Sequence, residues 1–374
     1  MRVVYSIGSR LAGGGIGDTA YHAARGLERA GCLQRLFCLG YEPSDIPPGR
    51  ITSLWFPPRR FLRLPPLHYY WLKDRSYDRR VARRLPDSLE VFHGWNSHSL
   101  ASLAAARERG ALAFIERGSM HPVAQARLLV EEHERLGLPS PPAMDKLVDR
   151  CVAECEAADF VHVPSSLCAQ SFVAEGFPAD KLVQSPYGVE LARFTATPPP
   201  DQFTVLFVGA IGVRKGALDL LEAWRLLGLS DSRLVLLGGP ERELEPRLAD
   251  LRPQCSFETP GFTPDVAAAY AAASVLVLPA IEDGYPLVVL EAMASGRPVI
   301  VSENTGSKDA VDEGVNGFVV PIRSPEAIAE KLAWLHGHPA ECAQMGCHAR
   351  RRAEELPWER HGESLVAAYE DALR

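Results

Sequence analysis

One stretch, residues 279–301 (PAIEDGYPLVVLEAMASGRPVIV), constrains the fold more than any other. The run Val275-Leu276-Val277-Leu278 that leads into it has the β-branched and leucine content of a buried parallel strand, and Pro279 ends that strand. A polar turn, Glu282-Asp283-Gly284-Tyr285-Pro286, precedes a helical run over 287–295. Gly296-Arg297-Pro298 then breaks the helix, and Val299-Ile300-Val301 begins a new strand. Such a strand-loop-helix-strand unit belongs to an open α/β sheet, where ligands bind beyond the carboxyl ends of the strands. Asp283 lies in that loop and Glu291 two turns into the helix. The segment Tyr285-Pro286-Leu287-Val288 opens the helix, whose free N–H groups and partial positive charge suit a phosphate oxygen.

The 374 residues are enough for two domains of ordinary size, and 47% hydrophobic content with a mean hydropathy of −0.06 describes a globular chain with large cores. A formal charge of −7 argues against a nucleic-acid footprint over the whole protein. No apolar run reaches the length of a membrane span, and the start, a short strand over 3–8, lacks the longer apolar core of a signal peptide. The eight cysteines include no CxxC; Cys151 and Cys155 share a helix face without a zinc-type partner, so free thiols in a reducing cytoplasm are expected.

Glycine-rich loops recur after strands. The first, Gly13-Gly14-Gly15-Ile16-Gly17-Asp18, opens a helix over 19–30; clustered glycines admit a ligand close to the backbone, and the helix start favours an anion. Its spacing departs from GxGxxG at Asp18. Glu42 after the second strand is a tolerable ribose partner, which keeps a dehydrogenase as an alternative. Strand 90–93 leads through His93 to Gly94, and the next strand to Glu116-Arg117-Gly118-Ser119-Met120-His121; both loops are expected to line a cleft. Two helices over 122–158 break at Pro139-Ser140-Pro141-Pro142, and Pro198-Pro199-Pro200 reads as a stiff linker between domains.

Past the linker, strand 203–208 feeds Gly209-Ala210-Ile211-Gly212-Val213-Arg214-Lys215-Gly216 and a helix. Cations at a helix start oppose the helix dipole, so Arg214 and Lys215 imply an anionic partner such as a pyrophosphate. A further loop carries Gly261-Phe262. Residues 47–86 stand apart: Arg59, Arg60, Arg63, Lys73, Arg75, Arg79, Arg80, Arg83 and Arg84 interleave with Trp55, Phe56, Phe61, Tyr69, Tyr70, Trp71 and Tyr77. Two readings stand side by side: a basic and aromatic surface for lipid headgroups or a phosphorylated acceptor, or a solvated arginine helix with its aromatics in the core.

The segment from Asp283 through Glu291 to Ala292-Met293-Ala294-Ser295-Gly296-Arg297-Pro298-Val299 resembles the donor-site signature of retaining glycosyltransferases of family 4. It departs at the first acid, which is Asp283 instead of Glu, with Glu282 one step out of register. Ser185-Pro186-Tyr187-Gly188-Val189-Glu190 and Gly314-Val315-Asn316-Gly317-Phe318 are similar to other segments of that family, whereas Ala210 stands where it usually has Arg and Arg117-Gly118 where it often has His-Gly.

The resemblance implies an α/β GT-B fold: two Rossmann-like domains, 1–196 for the acceptor and 201–355 for the nucleotide sugar, facing across a cleft, with a helix over 356–374 crossing back to the first domain. It implies donor contacts from Gly209, Gly212, Gly261, Phe262, Tyr285, Pro286, Leu287, Val288 and Glu291. The acceptor and phosphate side is expected from Gly14, Gly15, Ile16, Gly17, His93, Arg117 and Gly118, and catalysis from Lys215, Arg214, Asp283, Glu291 and His121, with either His121 in place of the missing His or Arg117 binding the acceptor or donor phosphate directly. No cofactor or metal is expected, because no Asp-x-Asp is present and cations stabilise the leaving diphosphate. The implied reaction moves a sugar from a UDP- or GDP-sugar to a glycan, lipid-linked or small-molecule hydroxyl, in the cytoplasm or at the inner face of the membrane, with segment 55–84 as the membrane contact. A sugar-nucleotide-binding scaffold and a GT-B phosphorylase or epimerase stay open beside it.

Overall fold

The computed structural model describes residues 1–42, 44–141 and 145–374. Its first half alternates strands and helices: β1 (Val3–Ser6), α1 (Ile16–Arg29), β2 (Leu33–Cys38), β3 (Ile51–Ser53), α2 (Arg59–Leu62), α3 (Pro66–Ala82) and β4 (Val91–Trp95). It continues with α4 (Leu100–Arg107), β5 (Leu112–Glu116), α5 (Pro122–Arg135), α6 (Asp145–Ala157), β6 (Phe160–Val163), α7 (Ser166–Ala174) and β7 (Leu182–Gln184). The second half carries β8 (Thr204–Val208), α8 (Ala217–Leu227), β9 (Arg233–Leu237), α9 (Glu245–Leu251), α10 (Val266–Ala271), β10 (Val275–Leu278) and α11 (Leu287–Ala294). After it come β11 (Val299–Ser302), β12 (Gly317–Val320), α12 (Pro325–Gly337), α13 (Pro339–Glu354) and α14 (Trp358–Ala372). The break between α5 and α6 falls as the prolines predict, although Pro142 lies outside the described residues.

Every strand pair is parallel, in two sheets ordered β3-β2-β1-β4-β5-β6-β7 and β12-β11-β10-β8-β9. Helices cover both faces, which is why β10 is buried at all four residues and reads as an unbroken apolar run. The strand order reverses between β1 and β4 in one sheet and between β8 and β10 in the other. At these points successive connections leave to opposite faces and open a crevice at the strand ends. The edge strand β3, three residues long, is too short to leave a periodic signal in the sequence.

Arg297 ties the linker to the second half, and α14 is one of several contacts that tie the two halves together. The guanidinium of Arg297 is buried and donates to Tyr270 O (2.9 Å) and Ala271 O (3.1 Å) at the end of α10, and to Pro198 O (3.2 Å) in the linker. Carbonyls at a helix end accept a cation favourably. Helix α14 returns to the first domain and lies on α1, where a Cβ added at Gly26 would sit 2.7 Å from Gly362 Cα. His22 stacks on Trp358 at 4.4 Å beside that contact. Of Leu365, Val366, Tyr369 and Leu373, whose apolar spacing predicts a docking helix, Leu365 and Tyr369 are buried, Val366 is half-buried and Leu373 is exposed.

Candidate functional site

The loops after β8 and β10 meet where the second sheet reverses, and they bring opposite charges together. Lys215 Nζ forms an ion pair with Asp283 Oδ2. Gly216 makes this approach achievable: its φ is +68°, and a Cβ there would lie 2.0 Å from Pro279 O. Arg214 locks the same loop through its own carbonyl, which accepts from Ile281 N–H (2.9 Å), while its guanidinium donates to Glu282 O (3.0 Å) and Glu282 Oε2 (3.4 Å). Burial opposes the charge of Arg214, but the carboxylates of Asp283 and Glu282 outweigh it and raise its pKa.

Glu282 carries this cluster across to the first domain. Its carboxylate is fully buried and accepts from Met120 N–H (3.1 Å) and Gln125 Nε2 (2.7 Å). Gln125 in turn accepts from Arg117 (2.7 Å), which also donates to Asn96 Oδ1 (3.1 Å) and Met120 O (3.0 Å). Arg117 thus holds the loop after β5 in shape, with its donors committed to protein groups. Neighbouring Gly118 passes so close to Gly284 that a Cβ at Gly284 would lie 2.2 Å from Gly118 O. Ser165, at the end of β6, donates to Gly284 O (2.8 Å), and Ser166 donates twice to Asp309 (2.7 and 2.6 Å). Strand-end loops of one sheet therefore grip the Asp283 loop of the other.

Pro286 occupies the N-cap of α11, with Leu287 and Val288 half-buried behind it and Tyr285 packed edge-on against Tyr187 at 5.7 Å. Glu291 accepts from the Tyr270 hydroxyl (2.8 Å), and burial raises its pKa. The Asp18 carboxylate of the first glycine loop raises it too. Asp18 accepts from Gly14 N–H (3.1 Å), fixing a turn in which Gly14 and Gly15 have φ of +88° and +55°; Ile16 is exposed beside them, and Gly17 is buried against Arg10 O. Gly209 lies beside the Lys215 stem, Gly212 against the Glu241 carboxylate, and Phe262, after Gly261 in a left-handed turn, stands 84% exposed over Gly239.

Two histidines lie elsewhere than the sequence suggests. His93 belongs to β4 itself and points into the core, where burial lowers its pKa; its ring nitrogens face the Tyr369 hydroxyl and Glu116 (3.2 Å). His121 caps α5, its Nδ1 accepting from Val123 N–H (3.3 Å) with the ring edge-on to Phe172 at 4.9 Å. Neither ring joins the Lys215–Asp283 cluster, because one is a strand residue with both faces covered and the other is consumed by a helix start. Glu282 and Gln125 are the residues that sequence reasoning missed. Glu282 stood in plain view beside the motif, but its partners come from another domain.

A second polar cluster is sealed inside the first domain. Glu116 accepts from Tyr187 OH (2.6 Å) and pairs with His162 (2.8 Å), whose other nitrogen meets Ser185 Oγ (2.7 Å). All four residues are buried, and His361 of α14 covers them. Among the described residues, no group of three or more His, Cys, Asp or Glu side chains is arranged to hold a metal ion, and no helix is long and apolar enough to cross a membrane.

Comparison with known proteins matches this geometry. Residues 14–188 fit the family model described as "Glycosyl transferase 4-like domain" and residues 202–338 the one described as "Glycosyl transferases group 1". The D-inositol 3-phosphate glycosyltransferase of Kribbella flavida is 30% identical over 328 residues, 80% of this chain and 75% of that protein. The enzyme of that name from Streptomyces bingchenggensis is 30% identical over 319 residues, 75% of this chain and 66% of its own length. Over the first three relatives the match spans 52% to 66% of their length. Sucrose-phosphate synthase from Thermosynechococcus elongatus superposes with a TM-score of 0.75 at 19% identity, over 100% of this chain and 99% of that one. Anabaena HepE in complex with UDP-glucose gives 0.71 at 14%, over 99% and 100%. With a family model on each half and a GT-B architecture throughout, the chain belongs to the group 1, family 4-like glycosyltransferases.

Proposed function

We propose that this chain transfers a sugar from a nucleoside diphosphate sugar to an acceptor hydroxyl with retention of the anomeric configuration. The Lys215–Asp283 pair at the point where the second sheet reverses carries the reading. Breaking the bond between the sugar C1 and the phosphate oxygen builds negative charge on the diphosphate. Lys215, Arg214 and the N-terminus of α11 stabilise that charge in a partly dehydrated site. Asp283 aligns Lys215 and faces the sugar, and Glu291 takes the ribose hydroxyls. The acceptor oxygen attacks C1 on the face the diphosphate leaves, and the acceptor proton passes to the departing phosphate oxygen. No cofactor or metal is needed beyond the co-substrate, since cationic side chains meet the leaving charge. Phe262 offers an exposed ring for the base, and the first glycine loop lines the acceptor side.

The HepE structure was solved in complex with UDP-glucose, which favours a UDP-sugar as the first donor to test, and we carry the reaction in the cytoplasm as part of the same proposal. The test is a thermal-shift panel of UDP-glucose, UDP-N-acetylglucosamine, GDP-mannose and NAD, followed by transfer assays with the donor that shifts the melting temperature. A shift lost in Lys215→Ala and a product of retained configuration by NMR are expected. Donor binding with no transfer to any acceptor class would replace catalysis by sugar-nucleotide binding.

A further inference from the structure

Residues 55–84 hold nine Lys and Arg against two Asp, an excess of seven positive charges inside a chain whose total is −7. Both acids are already paired, Asp74 with Lys73 (3.1 Å) and Asp78 with Arg150 (2.8 Å). The fold decides between the two readings of this segment by dividing its aromatics. Tyr69 and Tyr77 are buried, while Trp55, Phe61, Tyr70 and Trp71 are 65%, 67%, 53% and 44% exposed. Leu62, Leu67 and Leu72 are exposed beside them. Soluble surfaces rarely gather so many large apolar side chains in one place, and such a patch marks an interaction site.

Along α3 the chemistry changes from end to end. The first half and the preceding α2 present Phe61, Leu67, Tyr70 and Trp71, and the second half presents Arg75 and Arg79, with Arg83 at the C-cap one turn on. Arg60 sits over the Phe61 ring (5.0 Å) and Arg75 over Trp71 (4.5 Å), so cations frame the apolar tip. An apolar tip with a basic collar complements a bilayer of anionic lipid: rings enter the headgroup and acyl boundary while guanidinium groups meet phosphates. A nucleic acid matches the collar but leaves the tip in water, and a symmetric second copy sets like charges against each other.

We propose that α2 and α3 are a membrane-docking surface for anionic lipid headgroups. The surface lies on the acceptor side of the cleft. Lys73 donates to Gly8 O (3.3 Å) and Tyr77 bonds Ser6 Oγ (3.0 Å), so α3 lies over the end of β1 from which the first glycine loop springs. A hydroxyl carried on a membrane lipid then reaches the cleft from the docked face. That last step rests on the transferase reading; the docking does not.

Co-sedimentation with vesicles of phosphatidylcholine alone, or of phosphatidylcholine with phosphatidylglycerol, tests it. The full chain should pellet with the anionic vesicles and stay in solution with the neutral ones. Arg75→Glu with Arg79→Glu should weaken that partition by at least about 25-fold, about fivefold for each cation lost, with the added carboxylates repelled by the same headgroups. Phe61→Ser with Trp71→Ser should weaken it by at least about tenfold. Circular dichroism and the donor thermal shift, both unchanged in the variants, separate lost docking from misfolding and from failure of the transferase reading. Absence of pelleting with anionic vesicles at low salt sinks the proposal. Two other results also sink it: heparin competition with no effect of the serine variant marks a polyanion site, and a dimer abolished by that variant marks a self-association face.

Discussion

Two charged clusters lie within this molecule, and the one with the more catalytic vocabulary is the one that cannot reach a substrate. Glu116, His162 and Ser185 line up as acid, imidazole and hydroxyl at hydrogen-bond distance, yet all three are buried beneath α14. Lys215, Asp283, Arg214 and Glu282 contain no histidine and no hydroxyl, but they sit at a sheet reversal and keep Arg214 37% accessible. The first cluster works by being closed: with both imidazoles against it, Glu116 stays ionised, its pKa held well below the carboxylate range despite burial. The second is less deeply enclosed, with the Lys215 and Asp283 side chains 15% and 10% exposed beside Arg214. Access and position in the topology, rather than residue type, separate a site from a staple.

The sharpest break of this comparison is Lys215→Ala, expected to lower kcat per folded molecule about 1000-fold in a transfer assay, with a lowered melting temperature because the nearly buried Asp283 loses its partner. A loss under tenfold would remove Lys215 from the chemistry. Glu116→Gln should do the reverse, costing about 3–5 kcal/mol in urea unfolding because it leaves buried partners uncompensated, with turnover per folded molecule unchanged. Lost turnover at full stability would make the sealed cluster functional after all.

The pH dependence of stability sharpens the contrast further. His361 is buried neutral, its pKa lowered to about 3, and His93 is lowered for the same reason. A group whose folded pKa is depressed stabilises fully above its unfolded pKa, about 6.5 for His, and loses that contribution as pH falls toward the folded value. Stability should therefore decline from about pH 6.5 downward, and Glu116 adds to the loss once pH passes below about 4.3. His361→Gln should remove about 1.4 kcal/mol per pH unit from that slope, measured as urea midpoints between pH 6.5 and 4.5. The smallest effect belongs to Phe262→Ala, expected to raise the donor KM about fivefold at unchanged kcat; an unchanged KM would free the ring from the base.

Much of this was legible in the chain itself. The Val275–Leu278 run, the glycine turns and the Leu365 and Tyr369 spacing announce buried parallel strands, strand-end loops and a docking helix, because those signals are local and periodic. Asp283, Glu291 and Lys215 were legible as a motif. The pairing of Lys215 with Asp283 was not, since it depends on β8 and β10 becoming neighbours across some 70 residues of chain. The same limit hid Glu282, whose partners Met120 and Gln125 stand in the other domain, and it misled on His93 and His121.

By itself, then, the sequence determined two parallel α/β domains, a cationic loop after β8 and an acidic loop ahead of α11, because hydrophobic period, glycine and helix-end chemistry act within a few residues. Only the tertiary structure decided which polar residues face the cleft and which are sealed, and that Trp55, Phe61, Tyr70 and Trp71 face water instead of the core. Burial is a property of what packs against a residue, and those neighbours are distant in the chain.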